Sequence, residues 1–378
     1  MNKWLYLDGY VEITFSHNKK ECLLVNTLDS KKYILTNSDY QVIKKIHANE
    51  YSIKLTDNDC KDLNHLIKLF EDNSIGGLEE SNDKPFIFYP IINIQRDIRK
   101  FKNLSYRDQG YNTLENLFEL SVHIDGKNIL LSDQILKLVY ESEHSSIAKI
   151  NLHITNFNSN KVEITEFINN LNSVAKHCSI NISIDHTEYF AFSESIKDSQ
   201  ELVKNNISVL VDNQSFNKEI LKEKGVDILF KISNESQYNH YSNFVVNSHI
   251  DYNFHLDIKN CNTDFLKEFV FLNKDEILDK IITKQNYDAN KTLNKALFGK
   301  LVIKNNKVYN CETKGKVIAK LEDNKTLKEL IYRALVDNNE WFLTRNKVKP
   351  CKGCIFKNTC PPITDYELEA TQYNFCTV

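Results

Sequence analysis

The apolar and polar positions of the first 80 residues predict a small α+β unit. Tyr10–Phe15 alternates with a period of two, as in a half-buried strand, and the more apolar segment Cys22–Asn26 follows after a six-residue turn. These two segments predict a β-hairpin, with Lys32–Leu35 as a third strand. Asn37 or Ser38 is then expected to cap a first helix.

A second helix is predicted after Thr56, which forms a capping box with Asp59 in place of the usual glutamate. One face of this helix is apolar at helical spacing. Gly76-Gly77 and the polar run to Lys84 predict a domain boundary. The apolar face consists of Leu63, Leu66, Leu69 and Phe70.

Residues 85–294 alternate predicted strands with helices, which indicates parallel βα units. About six such units favour an open or partial barrel over a two-faced nucleotide-binding sheet. No glycine-rich phosphate loop follows any strand, so a nucleotide site has no support. The strands are predicted at Glu119–Ile124, Ile150–Thr155, Ser179–Asp185, Ser208–Asp212, Asp227–Ile232, Phe244–Asn247 and Phe254–Ile258. The helices are predicted at Ser132–Ser142, Glu163–His177, Ser195–Lys204 and Asn217–Lys224.

Residues 295–378 form a third region. Leu297–Ile303 and Lys307–Cys311 predict a short hairpin, and Leu327–Val336 predicts an amphipathic helix that is followed by Trp341. A cysteine-rich tail closes the chain.

Length and composition narrow the function classes. A chain of 378 residues predicts two or three domains, and a net charge of −3 argues against a broad nucleic-acid-binding surface. No apolar run reaches the roughly 18 residues of a membrane helix, and the N-terminus has no signal-peptide apolar region. We therefore expect a cytoplasmic protein with neither a nucleic acid nor a membrane as partner. In that compartment we expect the remaining cysteines to be thiols.

Four of the nine cysteines lie in the tail, and they predict a metal centre. Cys351, Cys354 and Cys360 form a CxxCx5C array, and Cys376 follows near the end of the chain. Four thiolates complete either a tetrahedral zinc site or a [4Fe–4S] cluster, and sulfur ligands alone do not decide between them. Four protein ligands leave no open position for a substrate. A structural or electron-relay role is therefore favoured over catalysis.

Five stretches of the chain together resemble one family. The chain is similar to the pseudo-radical-SAM proteins with a SPASM domain that occur with GG-leader peptides in Bacteroidales. The resemblance favours the iron–sulfur cluster over Zn²⁺. The stretches are Lys84–Ile98, Leu297–Leu301, Glu329–Tyr332, Trp341–Arg345, and the Cys351–Cys376 tail with Pro361-Pro362 and Tyr366-Glu367.

The resemblance implies an α/β fold in three parts. Residues 1–80 would be a winged-helix, PqqD-like module that recognises a leader peptide by strand addition, although a purely structural cap on the next domain is an equally weighted alternative. Residues 85–294 would be a degenerate radical-SAM-type partial (β/α) barrel. Residues 295–378 would be a reduced SPASM domain.

A working radical-SAM enzyme carries three thiolates in CxxxCxxC spacing near its first barrel strand, and no such triplet occurs in this sequence. The first strand runs into Val122–Asn128, which has no cysteine. Thr155–Ser159 occupies the place of the family's Gly-Gly-Glu-type segment, which binds the amino group of SAM. We therefore predict that this chain neither binds nor cleaves SAM.

The resemblance also implies the ligand set of the tail. In a full SPASM domain the first three cysteines and the last one hold the distal cluster, so one [4Fe–4S] site is expected, with Zn²⁺ as the alternative. Thr364 occupies the place of the cysteine that serves the second cluster, and Cys311 is expected to be a spare thiol. The expected ligands are Cys351, Cys354, Cys360 and Cys376.

Several polar residues fall at the predicted C-terminal ends of the barrel strands, where barrel folds place their active sites. They would serve as loop starts, helix caps and core histidines, and this interpretation is favoured because no two of them have a recognised ligand spacing. A metal or acid–base site is the alternative. They are His123, Asp125, His153, Asp185, His186 and Asp212.

The expected function is that of a partner in the maturation of a ribosomally synthesised peptide. The chain would bind or present a precursor with a GG-type leader, and a true modifying enzyme would be a further partner. Two alternatives stay open. One is a peptide-modifying enzyme that uses a different metal or an acid–base site at the barrel end, and the other is an iron–sulfur electron-transfer partner.

Overall fold

The computed structural model describes residues 1–17, 20–89, 113–128, 131–196, 206–212, 219–220, 223, 225–246, 252–257, 263–269, 271–337, 340–373 and 375–376. The fold is α/β, with one nine-stranded, mostly parallel sheet and two three-stranded sheets. None of the described helices has the length and apolarity needed to cross a membrane. The stretch Lys84–Ile98 lies outside the described residues from position 90 onward, as do large parts of the helices predicted at Ser195–Lys204 and Asn217–Lys224.

The N-terminal region confirms the predicted hairpin, the third strand and the capping box of Thr56, but it has twice as many strands as expected. Gly76-Gly77 was predicted to end the unit. Instead it begins a strand that pairs antiparallel with the first strand of the chain, because Gly76 lets the two backbones approach closely. The elements are β1 Asn2–Leu7, β2 Val11–Phe15, β3 Glu21–Asn26, β4 Lys32–Thr36, α1 Asn37–Ala48, β5 Ser52–Leu55, α2 Asp57–Asp62, α3 Asn64–Asp72 and β6 Gly76–Ser81.

The sheet β2–β3–β4 is covered on both faces because alternate residues of β3 belong to different apolar cores. Cys22 and Leu24 pack with the helices of the N-terminal region. Leu23 and Val25 pack with Ile355 and other residues of the C-terminal half of the chain. A further molecule could therefore meet this sheet only along its edges.

The large sheet confirms the parallel βα pattern. From β7 to β12 each strand is hydrogen-bonded to its neighbours in chain order, and all of these pairs are parallel. Its elements are β7 Glu119–Asp125, α4 Ser132–Glu141, β8 Lys149–Thr155, α5 Lys161–Val174, β9 Ser179–Asp185, α6 Tyr189–Ile196, β10 Asn206–Val211, β11 Val226–Ile232, α7 Glu235–Val246 and β12 Tyr252–Leu256.

This strand order gives the sheet one apolar and one polar face. Right-handed crossovers between sequential parallel strands place the helices on the same side, and the residues on that side, such as Val122, Leu152 and Ile182, are buried in the main core. The alternate residues face the other way and are largely polar. A sheet of sequential parallel strands with its helices on one side curls as in a (β/α) barrel, with the helices outside, so the polar face is the concave one.

The strand predicted at Phe244–Asn247 is wrong, because Glu235–Val246 is a helix. The Asn234 side chain accepts a hydrogen bond from the Gln237 amide at 3.0 Å and so caps the helix start. Tyr241 and Val245 are then buried four residues apart, on one helical face. Taken alone, the short apolar run Phe-Val-Val had the composition of a strand.

The predicted C-terminal hairpin is present, and it extends the large sheet. Its first strand pairs in parallel with β7, and two antiparallel strands follow. The elements of this part of the chain are α8 Thr263–Phe269, α9 Lys274–Asp279, α10 Lys284–Thr292, β13 Lys300–Lys304, β14 Lys307–Tyr309, β15 Val317–Lys320, α11 Leu327–Val336 and α12 Asp365–Ala370.

Candidate functional site

The tail is fixed to the large sheet through Trp341, whose side chain is fully buried. Its indole N–H lies 3.1 Å from the Lys300 carbonyl and 2.7 Å from the Asn310 carbonyl, on β13 and just after β14. Phe298 packs against this indole and also against Phe342. The segment that leads to the cysteines therefore starts from a rigid point.

All four predicted cysteine ligands line one cavity of about 610 Å³. Cys351 and Cys360 are buried, and Cys354 and Cys376 are half-buried. Part of the wall comes from the N-terminal sheet, through Ile34 on β4. The spacing in the sequence thus corresponds to a shared site in the fold.

The CxxC segment has the local geometry of a metal knuckle. Cys351–Gly353 forms one 3₁₀ turn, and the Cys354 amide donates to the Cys351 carbonyl at 2.9 Å. Two positions later the Phe356 amide donates to the Cys354 sulfur at 3.4 Å. Backbone N–H groups aimed at sulfur stabilise a thiolate and therefore a metal-bound cysteine.

A buried ion pair stands beside the cysteines. The Arg345 guanidinium binds both carboxylate oxygens of Glu367, at 2.9 and 3.1 Å, and its Nε donates to the Pro361 carbonyl at 2.6 Å. The same guanidinium lies 3.6 Å from the Cys351 sulfur. A fixed cation next to the thiols favours negative charge at this site.

Thr364 has a structural role. It is the N-cap of α12, and its backbone N–H donates to Glu367 at 3.1 Å in a capping box. Glu367 therefore holds both the start of this helix and Arg345.

Burial keeps two of the metal-free thiols neutral. It raises the pKa of Cys360 to about 12, although the Arg345 charge acts in the opposite direction. It also raises the pKa of Cys351 in spite of Arg345. Metal binding must therefore release protons from these groups. Four thiols that line one cavity, a backbone N–H donor to sulfur and a buried cation fit a four-thiolate centre.

Cys311 lies outside the cavity that the four tail cysteines share. It is buried, its thiol donates to the Thr313 carbonyl at 3.1 Å, and burial raises its pKa. It packs in the same apolar cluster as Cys351 and Leu368. This environment is that of a structural thiol, which is inert in its neutral form.

A second polar cluster lies on the concave face of the large sheet. His123 and His153 are register partners on β7 and β8, and their rings are stacked with centroids 4.6 Å apart. Glu312, from the turn after β14, contacts Nε2 of His123. One ligand atom from each of the three residues lies within 4.8 Å of the others. Sequence reasoning singled out both histidines but missed Glu312, because no local pattern connects position 312 with β7 and β8.

The other predicted barrel-end residues form turns. Asp125 accepts hydrogen bonds from the Lys127 amide and from Asn156, and these bonds lower its pKa. Asp185 accepts the Thr187 amide at 2.9 Å and its hydroxyl at 2.7 Å. For these two aspartates the structure confirms the predicted role at loop starts.

His186 and Asp212 join Asp185 in a second group of close polar atoms. His186 Nδ1 lies 3.4 Å from Asp185 and 3.7 Å from Asp212. The same nitrogen lies 3.3 Å from the Leu210 carbonyl. Because local bonds account for Asp185 and His186, this group is a loop feature beside the end of β10.

Comparison with known proteins identifies no family for this chain. No family model matches it, and no curated protein matches it.

Proposed function

We propose that this chain is a pseudo-radical-SAM protein of peptide maturation, which binds or presents a precursor peptide without cleaving SAM. The main support is the large sheet, whose parallel strands follow one another in chain order and whose first strand, β7, ends in a closed polar turn. Asp125 ties this turn to Asn128 and Asn156 at 2.5 and 2.8 Å. A radical-SAM enzyme has its cluster-binding loop at this point. A degenerate barrel explains the retained strand order and the missing CxxxCxxC together.

We propose a [4Fe–4S] cluster for the tail, held by Cys351, Cys354, Cys360 and Cys376. Zinc would draw four sulfurs to about 3.8 Å from one another, given a Zn–S distance of about 2.3 Å. Among these four described cysteines, no three sulfurs lie within 4.8 Å of one another. That wider spacing, around a sizeable cavity, favours the larger cluster. Because all four positions are protein thiolates, the cluster would act as a structural element or an electron relay.

The edge strand β4 is the proposed site of leader addition. Backbone hydrogen bonds join Asn26 to Lys31 at one end of the β3–β4 pair and Asn37 to Lys20 at the other end. Because such bonds alternate along an antiparallel pair, the N–H and C=O groups of Ile34 point away from β3. Within the described chain no strand pairs with β4 on that side. An extended peptide would find free donors and acceptors there.

Isothermal titration of the anaerobically purified protein with the neighbouring GG-leader precursor tests this proposal. Ile34→Pro removes one outward N–H while leaving the bonds to β3, and Ile34→Val is the matched control. We expect binding by the wild type and by Ile34→Val, and at least tenfold weaker binding by Ile34→Pro, with circular dichroism unchanged. If the wild type captured neither the precursor nor the enzyme encoded beside it, the proposal would fail.

Two further measurements distinguish the alternatives. Iron, sulfide and zinc analysis of anaerobically purified protein should give about four irons and four sulfides per chain, and one zinc without sulfide would replace the cluster by a zinc site. Incubation of the precursor with this protein alone, followed by mass spectrometry, should leave the peptide mass unchanged. A mass change would instead identify a peptide-modifying enzyme.

A further inference from the structure

We propose that His123, His153 and Glu312 form a binding site for one divalent transition-metal ion on the concave face of the sheet. Two imidazole nitrogens and one carboxylate oxygen are a common donor set for catalytic zinc and for non-haem iron(II). All three donor atoms lie within 4.8 Å of one another. The site is separate from the tail cysteines and does not depend on the proposed peptide binding.

The fold positions both histidines rigidly. They occupy the same register position on adjacent parallel strands, so their side chains leave the same face about 4.8 Å apart. Their rings are nearly parallel, with an interplanar angle of 26°. Two imidazoles held on one face in this way can each offer a ring nitrogen to a single metal ion.

The third ligand comes from a tight turn. A Cβ on Gly315 would lie 2.4 Å from the Cys311 carbonyl oxygen, so this turn requires glycine. The Lys316 amide donates to the Asn310 side chain at 2.7 Å and closes the turn around Glu312. A constrained loop thus carries one carboxylate to the two histidines, although Glu312 lies 189 residues after His123 and 159 after His153 in the sequence.

The three groups have the arrangement of cation ligands. The Glu312 carboxylate contacts Nε2 of His123, and the His153 ring stacks on the His123 ring. The buried Nε2 of His123 touches this carboxylate without a hydrogen bond of normal geometry. A metal ion between these atoms would satisfy all three groups.

Binding of Co²⁺ to metal-free protein under anaerobic conditions tests the site. Cobalt held by imidazole and carboxylate gives weak visible bands, whereas thiolate ligands give intense near-ultraviolet charge-transfer bands, so the spectrum separates this site from the tail. We expect one equivalent of Co²⁺ to give the weak visible bands of imidazole and carboxylate ligands. Competition with Zn²⁺ and Fe²⁺ then shows which biological ion binds more tightly.

Glu312→Gln keeps the shape of the side chain and removes its charge, and should weaken this cobalt binding by about tenfold or more. His123→Gln should do the same. The exposed Glu322 and His144 provide the matched controls Glu322→Gln and His144→Gln, which should bind like the wild type. The tail charge-transfer bands should survive in all four variants. Unchanged visible bands in folded Glu312→Gln, or a wild type with thiolate bands only, would overturn the proposal.

Discussion

Replacement of Glu367 by glutamine should strongly destabilise the cysteine tail. The side chains of Arg345 and Glu367 are 8% and 1% exposed, and their two hydrogen bonds measure 2.9 and 3.1 Å. The glutamine side chain would keep an oxygen for the cap at Thr364, so the substitution removes chiefly the charge. It leaves a buried guanidinium with the neutral carbonyls of Pro361 and Tyr373.

The magnitude follows from this burial. Two unit charges at about 4 Å interact by about 4 kcal/mol at an effective dielectric constant of about 20. Loss of one partner of a buried pair costs about 3–5 kcal/mol in measured cases. We therefore expect the free energy of unfolding of Glu367→Gln to fall by about that amount in metal-free protein. With a negatively charged metal–thiolate centre bound, Arg345 would keep a counter-charge through Cys351, and the loss should be smaller.

Urea unfolding, followed by circular dichroism and by the fluorescence of Trp4 and Trp341, measures the free energy of unfolding in metal-free and in metal-loaded protein. The control is Glu322→Gln, which removes an exposed carboxylate on the same part of the chain. A loss within about 0.5 kcal/mol of this control, as for an ordinary surface substitution, would refute the argument from the buried ion pair. If Glu367→Gln lost the same free energy of unfolding with and without metal, the metal–thiolate centre would not be the counter-charge of Arg345.

Three further outcomes are expected. Thr56→Ala removes the capping box with Asp59 and should lower the free energy of unfolding by about 1 kcal/mol in urea titrations, with Thr56→Ser close to the wild type. Asn358→Ala removes the side-chain amide that donates to Thr14 at 3.2 Å and should speed proteolysis between the N-terminal region and the tail. Asn358→Asp should have the same effect, because a carboxylate lacks the N–H donors. Burial lowers the pKa of His255, so as the pH falls the imidazole is protonated in the unfolded chain before it is protonated in the folded one. The free energy of unfolding should therefore decline below about pH 6.5, and it should decline less in His255→Asn.

The amino-acid sequence by itself determined most of the elements and the composition of the cysteine site. Period-two and helical patterns predicted β7 to β11 and α11 almost to the residue, because each strand buries one face and each helix one stripe. Where a short apolar run was ambiguous, as at Phe244–Asn247, the local pattern predicted a strand in place of a helix. The CxxCx5C spacing identified its sulfurs because a tight turn brings neighbouring cysteines together.

Only the tertiary structure decided which distant residues meet. Arg345 and Glu367 are ordinary charged residues in the sequence, and the fold buries them as a pair beside Cys351. Glu312 approaches His123 only because β13 pairs with β7 and brings the following turn to the concave face. Such contacts depend on strand order and sheet curvature, which arise from packing over the whole chain and leave no periodic signal in the sequence around any one residue.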